Sequence, residues 1–150
     1  MIYVECYADL ALVKSLTNLP RKEIAHEFKG KGGICGRLRE KPHRLGVVDE
    51  DPSKTQPRYI KETKLVQDFP AHGIRVLHHS SSNNYLIVLC PYLEVWILAA
   101  ANEATIDVGE YSLPKDAKKL RETIKFDSRK FEKLLSDLTN SARLKSLKAF

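Results

Sequence analysis

Glu5 closes the apolar opening run Ile2-Tyr3-Val4, and Asp49 and Asp51 follow directly on a second apolar run, Leu45–Val48. Residues two apart on an extended chain point to the same side, so Asp49 and Asp51 can face one point while Glu50 turns away toward solvent. If the two runs form neighbouring strands, Glu5 can join the pair. Three carboxylates at one place repel one another unless a cation neutralises them. Ligands that are all oxygen select Mg²⁺ or Mn²⁺ over zinc. Each feature alone also fits a plainer role. A glutamate after a strand is commonly a solvated strand end, and Asp-Glu-Asp-Pro is a good turn starter.

Two further carboxylates sit where helices should begin. Asp9 falls in the first turn of a helix predicted over Ala8–Leu16, and Glu94 in the first turn of one predicted over Leu93–Ala104. The positive end of the helix dipole favours an acid at both places. Either could instead extend the metal site of Glu5, and Glu94 could complete a second one if its strand borders the first. The stretch Lys29-Gly30-Lys31-Gly32-Gly33-Ile34-Cys35-Gly36 reads as a glycine-rich turn opening a short basic helix that ends near Pro42. It matches neither common phosphate-loop pattern, because Cys35 stands where the last glycine of G-x-G-x-x-G belongs. Backbone N–H groups at such a helix start can still meet a phosphate, with Lys29, Lys31, Arg37 and Arg39 adding charge. A tight turn followed by a solvated helix is the alternative. His78 and His79 are adjacent near a strand end and point oppositely, which suits a loop edge better than one shared metal. No Ser-His-Asp or Cys-His set has credible placement.

These residues need a frame. Strands are predicted over Met1–Cys6, Ile24–Phe28, Leu45–Val48, Ile74–Leu77 and Tyr85–Leu89, and residues 52–58, with two prolines, form a loop. Tyr59–Phe69 is read as a helix closed by Pro70 and Gly73. Leu93, Trp96, Ile97, Ala100 and Ala104 lie on one helical stripe. Strands alternating with helices over the first hundred or so residues imply βαβ units and a mainly parallel sheet. The remainder reads as helical. Leu120 and Ile124 lie one turn apart, and Phe131, Leu134, Leu135 and Leu138 follow the i, i+3, i+4, i+7 spacing. Leu144, Leu147 and Phe150 continue the pattern. The chain therefore reads as a single domain over residues 1–150, with an α/β core over about 1–105 and a helical extension over about 106–150.

At 150 residues and 43% hydrophobic content the chain can bury its own core and is too apolar to be disordered. No apolar run approaches the ~20 residues of a membrane span. Nor does a basic patch precede an apolar stretch at the N-terminus, so no signal peptide is expected. Cys6, Cys35 and Cys90 are odd in number and far apart, which fits a reduced, cytoplasmic protein with core-filling thiols. The net charge of +6 is unevenly placed: residues 1–114 sum to zero, and residues 115–150 hold 11 basic against 5 acidic side chains. That asymmetry favours an anionic partner, nucleic acid first, with a solvated helical surface as the alternative.

The glutamate after the first strand, the Asp49-Glu50-Asp51 triplet after a later one, and the opening Glu5-Cys6-Tyr7-Ala8-Asp9 together resemble the TOPRIM domain family. Cys6 stands where that family has glycine. The resemblance covers roughly residues 1–100. It implies a compact three-layer α/β fold with a mainly parallel central sheet. It also implies Mg²⁺ (or Mn²⁺) held by Glu5, Asp49 and Asp51 as the catalytic carboxylates. The activity so implied is phosphodiester hydrolysis on nucleic acid, DNA or RNA, as in the small and OLD-type nucleases of the family. Lys29, Lys31, Arg37 and Arg39 near the glycines, with Lys118, Lys119 and Lys130 on the tail, would hold the backbone. Two other classes fit the same residues: a non-catalytic nucleic-acid-binding module, and a protein-interaction subunit of a toxin–antitoxin or phage-defence complex. In the latter the C-terminal helices would pack on a second copy or another chain.

Overall fold

The computed structural model describes residues 1–26 and 30–149. The expected strand end at Phe28, the candidate phosphate ligand Lys29 and the last stripe residue Phe150 lie outside the described residues. The chain forms an α/β protein of two compact units. One takes Met1–Cys6 and Pro20–Tyr92, the other Tyr7–Leu19 and Leu93–Phe150.

The first unit is built on a six-stranded mixed sheet: β1 (Ile2–Val4), β2 (Ile24–His26), β3 (Leu45–Asp49), β4 (Lys64–Phe69), β5 (Ile74–His79) and β6 (Asn84–Leu89). Their order across the sheet is β2-β1-β3-β6-β5-β4. β1 runs parallel to both β2 and β3, and β3 runs parallel to β6, with Val4 opposite Val47 and Asp49 opposite Leu89. β5 is antiparallel to β6 and β4, so the sheet is mainly but not wholly parallel. The apolar runs of β3 and β6 are buried on both faces, as parallel strands usually are. From β1 the chain passes to one neighbour, β2, and returns to the other, β3. The strand order therefore reverses at β1, a place where α/β proteins commonly bind ligands at the carboxyl edge.

Two sequence expectations need correction. Gly30–Gly36 is not a turn but the first part of a helix, α2 (Gly30–Glu40). Four glycines lower helix propensity, yet Ile34, Cys35 and Leu38 are all buried in one cluster with Tyr3, Val48 and Leu86 of the sheet. Packing decides the conformation. Gly46 admits the helix, since a Cβ there would stand 2.8 Å from Leu86 Cδ2 and 3.0 Å from Ile34 Cγ2. Tyr59–Phe69 is likewise not one helix. A single turn, α3 (Arg58–Lys61), gives way to β4, an edge strand exposed along its whole length. β5 needs a hydrogen-bonding partner on its open side, and that pairing overrides the helical spacing of the apolar residues. A 3₁₀ turn at Pro70–His72 and Gly73 at φ +63° reverse the chain between them.

Asn84, which the sequence did not single out, ties α2 to the sheet. It is 1% exposed. Its Nδ2 donates to Leu38 O (2.7 Å) and Lys41 O (2.9 Å), satisfying carbonyls at the end of α2, and its Oδ1 accepts from Arg44 N–H (2.6 Å).

The second unit is helical: α1 (Tyr7–Leu16), α4 (Leu93–Glu103), α5 (Ala117–Phe126), α6 (Arg129–Leu138) and α7 (Ala142–Lys148). α1 packs against α5 and α6, and α4 against α5 and α7. Side-chain caps start two of these helices: Asp116 accepts from Lys119 N–H and Ser141 from Leu144 N–H. Phe131, Leu134, Leu135 and Leu138 are each 0% exposed, so the amphipathic stripe of α6 is spent inside the chain. Ala104, placed on the α4 stripe by its spacing, falls beyond the helix end and is exposed. No described helix is long and apolar enough to cross a membrane.

Asn84→Ala should lower stability by about 2 kcal/mol, because it leaves the buried Leu38 carbonyl and the part-buried Lys41 carbonyl and Arg44 N–H without this partner. Ser81→Ala, on the exposed turn beside it, should change stability by less than about 0.5 kcal/mol. Urea unfolding of the two variants checks the difference.

Candidate metal centre

β1 ends at Val4, one residue before Glu5, while β3 continues to Asp49. Beyond the last β1–β3 pair, the N–H of Asp49 donates to Glu5 Oε1 at 3.2 Å. The side chain thus takes over where the neighbouring main chain stops, and it is fixed beside the Asp49 carboxylate. Behind Glu5, its own carbonyl meets His26 Nε2 of β2 at 3.1 Å.

Asp51 reaches the group by another route than alternation along a strand. Its backbone adopts the left-handed conformation, φ +44°, which aspartate tolerates better than most residues. The turn is clamped to the end of β6: Glu50 N–H donates to Leu89 O and Asp51 N–H to Pro91 O, both at 2.9 Å. One carboxylate oxygen from each of Glu5, Asp49 and Asp51 lies within 4.8 Å of the others. Asp49 is buried, and Glu5 and Asp51 are half-buried.

The cluster carries a cost that its surroundings only partly offset. Burial pushes the Glu5 carboxyl above its ordinary range, and the negative charge of Asp51 adds to this. The Asp49 N–H and the ammonium groups of Lys31 and Lys54 pull it back down. Lys31 Nζ is itself held by Glu50 O at 2.9 Å and Gln56 Oε1 at 2.8 Å. Gln56 Nε2 also donates to Glu50 O and Asp51 O, bracing the turn. An all-oxygen donor set whose members penalise one another's charge fits a hard divalent cation.

Glu50 turns away as expected, but to an ion pair rather than to open solvent: Arg75 Nη1 lies 2.6 Å from its Oε2. Asp9 and Glu94 belong to helices of the second unit. Glu94 is 2% exposed and accepts from Arg121 Nε at 3.0 Å and Nη2 at 3.3 Å, so a guanidinium compensates its charge. Asp9 is fully buried in the first turn of α1. Arg39 pairs with Glu62 at 2.9 Å and lies over the Tyr59 ring. Arg37 stands 3.8 Å from Glu40 on an exposed face of α2. Lys118, Lys119 and Lys130 are exposed on α5 and α6.

His79 stacks on Tyr59 with centroids 4.4 Å apart and bonds Ser82 Oγ at 2.8 Å, while His78 bonds Asn83 Oδ1 at 2.9 Å. Both serve the β5–β6 hairpin. The three cysteines form no disulfide, and burial raises the thiols of Cys35 and Cys90 to about 11. Lys54, Gln56 and His26 were missed by the sequence argument. Their only signal there was proximity to a charged turn or a strand end, which many polar residues share. No family model, no curated protein and no solved structure matches the chain.

Because burial raises Glu5 above 4.5 in the folded chain, the folded state keeps a proton that the unfolded state has lost. Stability of the metal-free protein therefore falls as pH rises through the window between the two values, and the penalty persists above it. Glu5→Gln retains an acceptor for the Asp49 N–H and removes the charge. In EDTA at pH 7 it should be more stable than wild type, with the difference vanishing near pH 4. Urea titrations across that range measure it.

Proposed function

We propose that this chain is a Mg²⁺- or Mn²⁺-dependent phosphodiesterase acting on nucleic acid, on a TOPRIM-like three-layer fold. One observation carries the reading: Glu5, Asp49 and Asp51 bring carboxylate oxygens within 4.8 Å of one another. Its setting supports it, since Glu5 follows β1 and Asp49 ends β3, the two parallel neighbours at which the strand order reverses. The order of glutamate first and Asp-x-Asp second is also the order of the TOPRIM resemblance. The antiparallel β4–β5 pair extends the sheet beyond its four parallel strands.

Glu5, Asp49 and Asp51 would hold the ion. Bound there, it would supply charge neutralisation at the phosphate and a water of lowered pKa. The chain's own residues do the positioning. The Asp49 N–H fixes the Glu5 carboxylate, and the left-handed turn at Asp51, braced by Gln56, presents the third acid. Lys31 and Lys54 contribute positive field beside Glu5. The exposed Lys118, Lys119 and Lys130 would hold the phosphate backbone through charge alone, without base readout.

Calorimetry with Mg²⁺ and Mn²⁺ tests the first half of the reading. Wild type should bind, and Asp49→Asn, which keeps the shape and removes the charge, should lose binding by a factor of about ten or more. Cleavage of single- or double-stranded DNA or RNA should depend on the same ions and disappear in Asp49→Asn. Metal binding without cleavage of any substrate would leave a nucleic-acid-binding module instead. Charge reversal at Lys118, Lys119 and Lys130 should weaken nucleic-acid binding at low salt and flatten its dependence on log salt by about three. Equal binding by that triple variant would reduce the basic helices to a solvated surface.

A further inference from the structure

The face of the sheet that bears α2 is covered unevenly. Over β1, β3 and β6, Ile34 and Leu38 close the packing. Toward β5 and β4 only the single turn of α3 follows, and a cleft of about 450 Å³ remains. Its floor is apolar: Val48, Val88 and Leu77 come from the adjacent strands β3, β6 and β5. Leu65 of β4, 53% exposed, stands at its outer wall.

The rim is polar and unequal in charge. Arg75 is taken by Glu50 at 2.6 Å and lies 3.7 Å from Asp68. Lys31 is held only by the neutral acceptors Glu50 O and Gln56 Oε1, and among the described residues it makes no ion pair. An ammonium that is in no ion pair among the described residues, and whose charge acts on Glu5, therefore sits at the mouth of an apolar cleft. The same short segment, residues 48–52, supplies Val48, Glu50 and Pro52 to the cleft and Asp49 and Asp51 to the carboxylate cluster.

We infer that this cleft takes one unpaired nucleotide, its base against Leu77, Val88 and Leu65 and its phosphate at Lys31. A base offers two apolar faces, which fits an apolar floor. The volume lies in the lower part of the range of about 300–1,000 Å³ common for small-ligand sites. A base within a duplex has both faces stacked and cannot lie on that floor without being extruded, so the cleft selects single strands or frayed ends. The inference deepens the phosphodiesterase reading and rests on it for its orientation: the phosphate at Lys31 would lie beside the carboxylates.

The test is titration of the full chain with adenosine monophosphate and, separately, with inorganic phosphate, followed by NMR, with Mg²⁺ binding measured by calorimetry in the absence of nucleotide. Wild type should bind the nucleotide more tightly than phosphate. Lys31→Gln should weaken the nucleotide by about tenfold or more, the loss of one charge-assisted contact. Leu65→Glu, on an exposed edge-strand position, should weaken the nucleotide while leaving Mg²⁺ affinity unchanged. Equal affinity for nucleotide and phosphate, no nucleotide binding, or unchanged nucleotide affinity in both variants would overturn the inference. If Mg²⁺ binds through Asp49 but the nucleotide does not bind, the cleft assignment fails and the phosphodiesterase reading stands. If the nucleotide binds through Lys31 and Leu65 but Mg²⁺ does not bind, the cleft stands and that reading fails.

Discussion

The hydrogen bond from the Asp49 N–H to Glu5 Oε1 joins the sheet's register to the site's chemistry. It forms because β1 stops one residue before Glu5 while β3 runs on, with Val4 held opposite Val47. A slip of one residue between these strands would send Glu5 to the opposite face and dissolve the cluster. Register is held in turn by burial, since Val4, Val47 and Val48 are almost wholly removed from solvent. The apolar core thus sets where two acids stand, although it cannot lower their mutual repulsion. That task falls to the Asp49 N–H and to Lys31 and Lys54, while burial, the largest effect on it, keeps the Glu5 carboxyl above its ordinary range. Neighbouring carboxylates held partly out of water have more free energy to gain from a cation than a solvated strand end has.

The parts of this arrangement that were legible in the sequence share one property. Glu5 and Asp49 follow short apolar runs that have no other way to be buried than as strands of a covered sheet. Position at the end of such a run therefore translates directly into position at the sheet edge. Asp51 was placed correctly in the cluster but for a reason that does not apply: it lies past the strand, and a left-handed turn tied to Leu89 and Pro91 carries it there. Those ties come from β6, some forty residues away, and no local pattern announces them.

The two misread segments fail for the opposite reason, because long-range packing outvotes local preference. Four glycines argue for a turn at Gly30–Gly36, but a buried surface waits for Ile34, Cys35 and Leu38, and the absence of a side chain at Gly46 makes room for them. Tyr59–Phe69 carries helical spacing, yet the open edge of β5 draws residues 64–69 into a strand. In the helical unit, by contrast, period and cap agree. Asp116 and Ser141 open α5 and α7, and the α6 stripe is fully buried. Glu94 shows how a correct placement can still leave a role undecided. Its first-turn position was legible, whereas the guanidinium of Arg121 that meets it comes from 27 residues further along the chain.

Whether the three carboxylates hold a metal is decided by a crystal structure of the full chain soaked with Mn²⁺, with anomalous scattering used to locate the ion. An anomalous peak bounded by the carboxylate oxygens of Glu5, Asp49 and Asp51 is the expected result, and it should disappear in Asp49→Asn crystals. Crystals that take up Mn²⁺ elsewhere and leave this cluster without a peak, or a peak that persists in the variant, would contradict it.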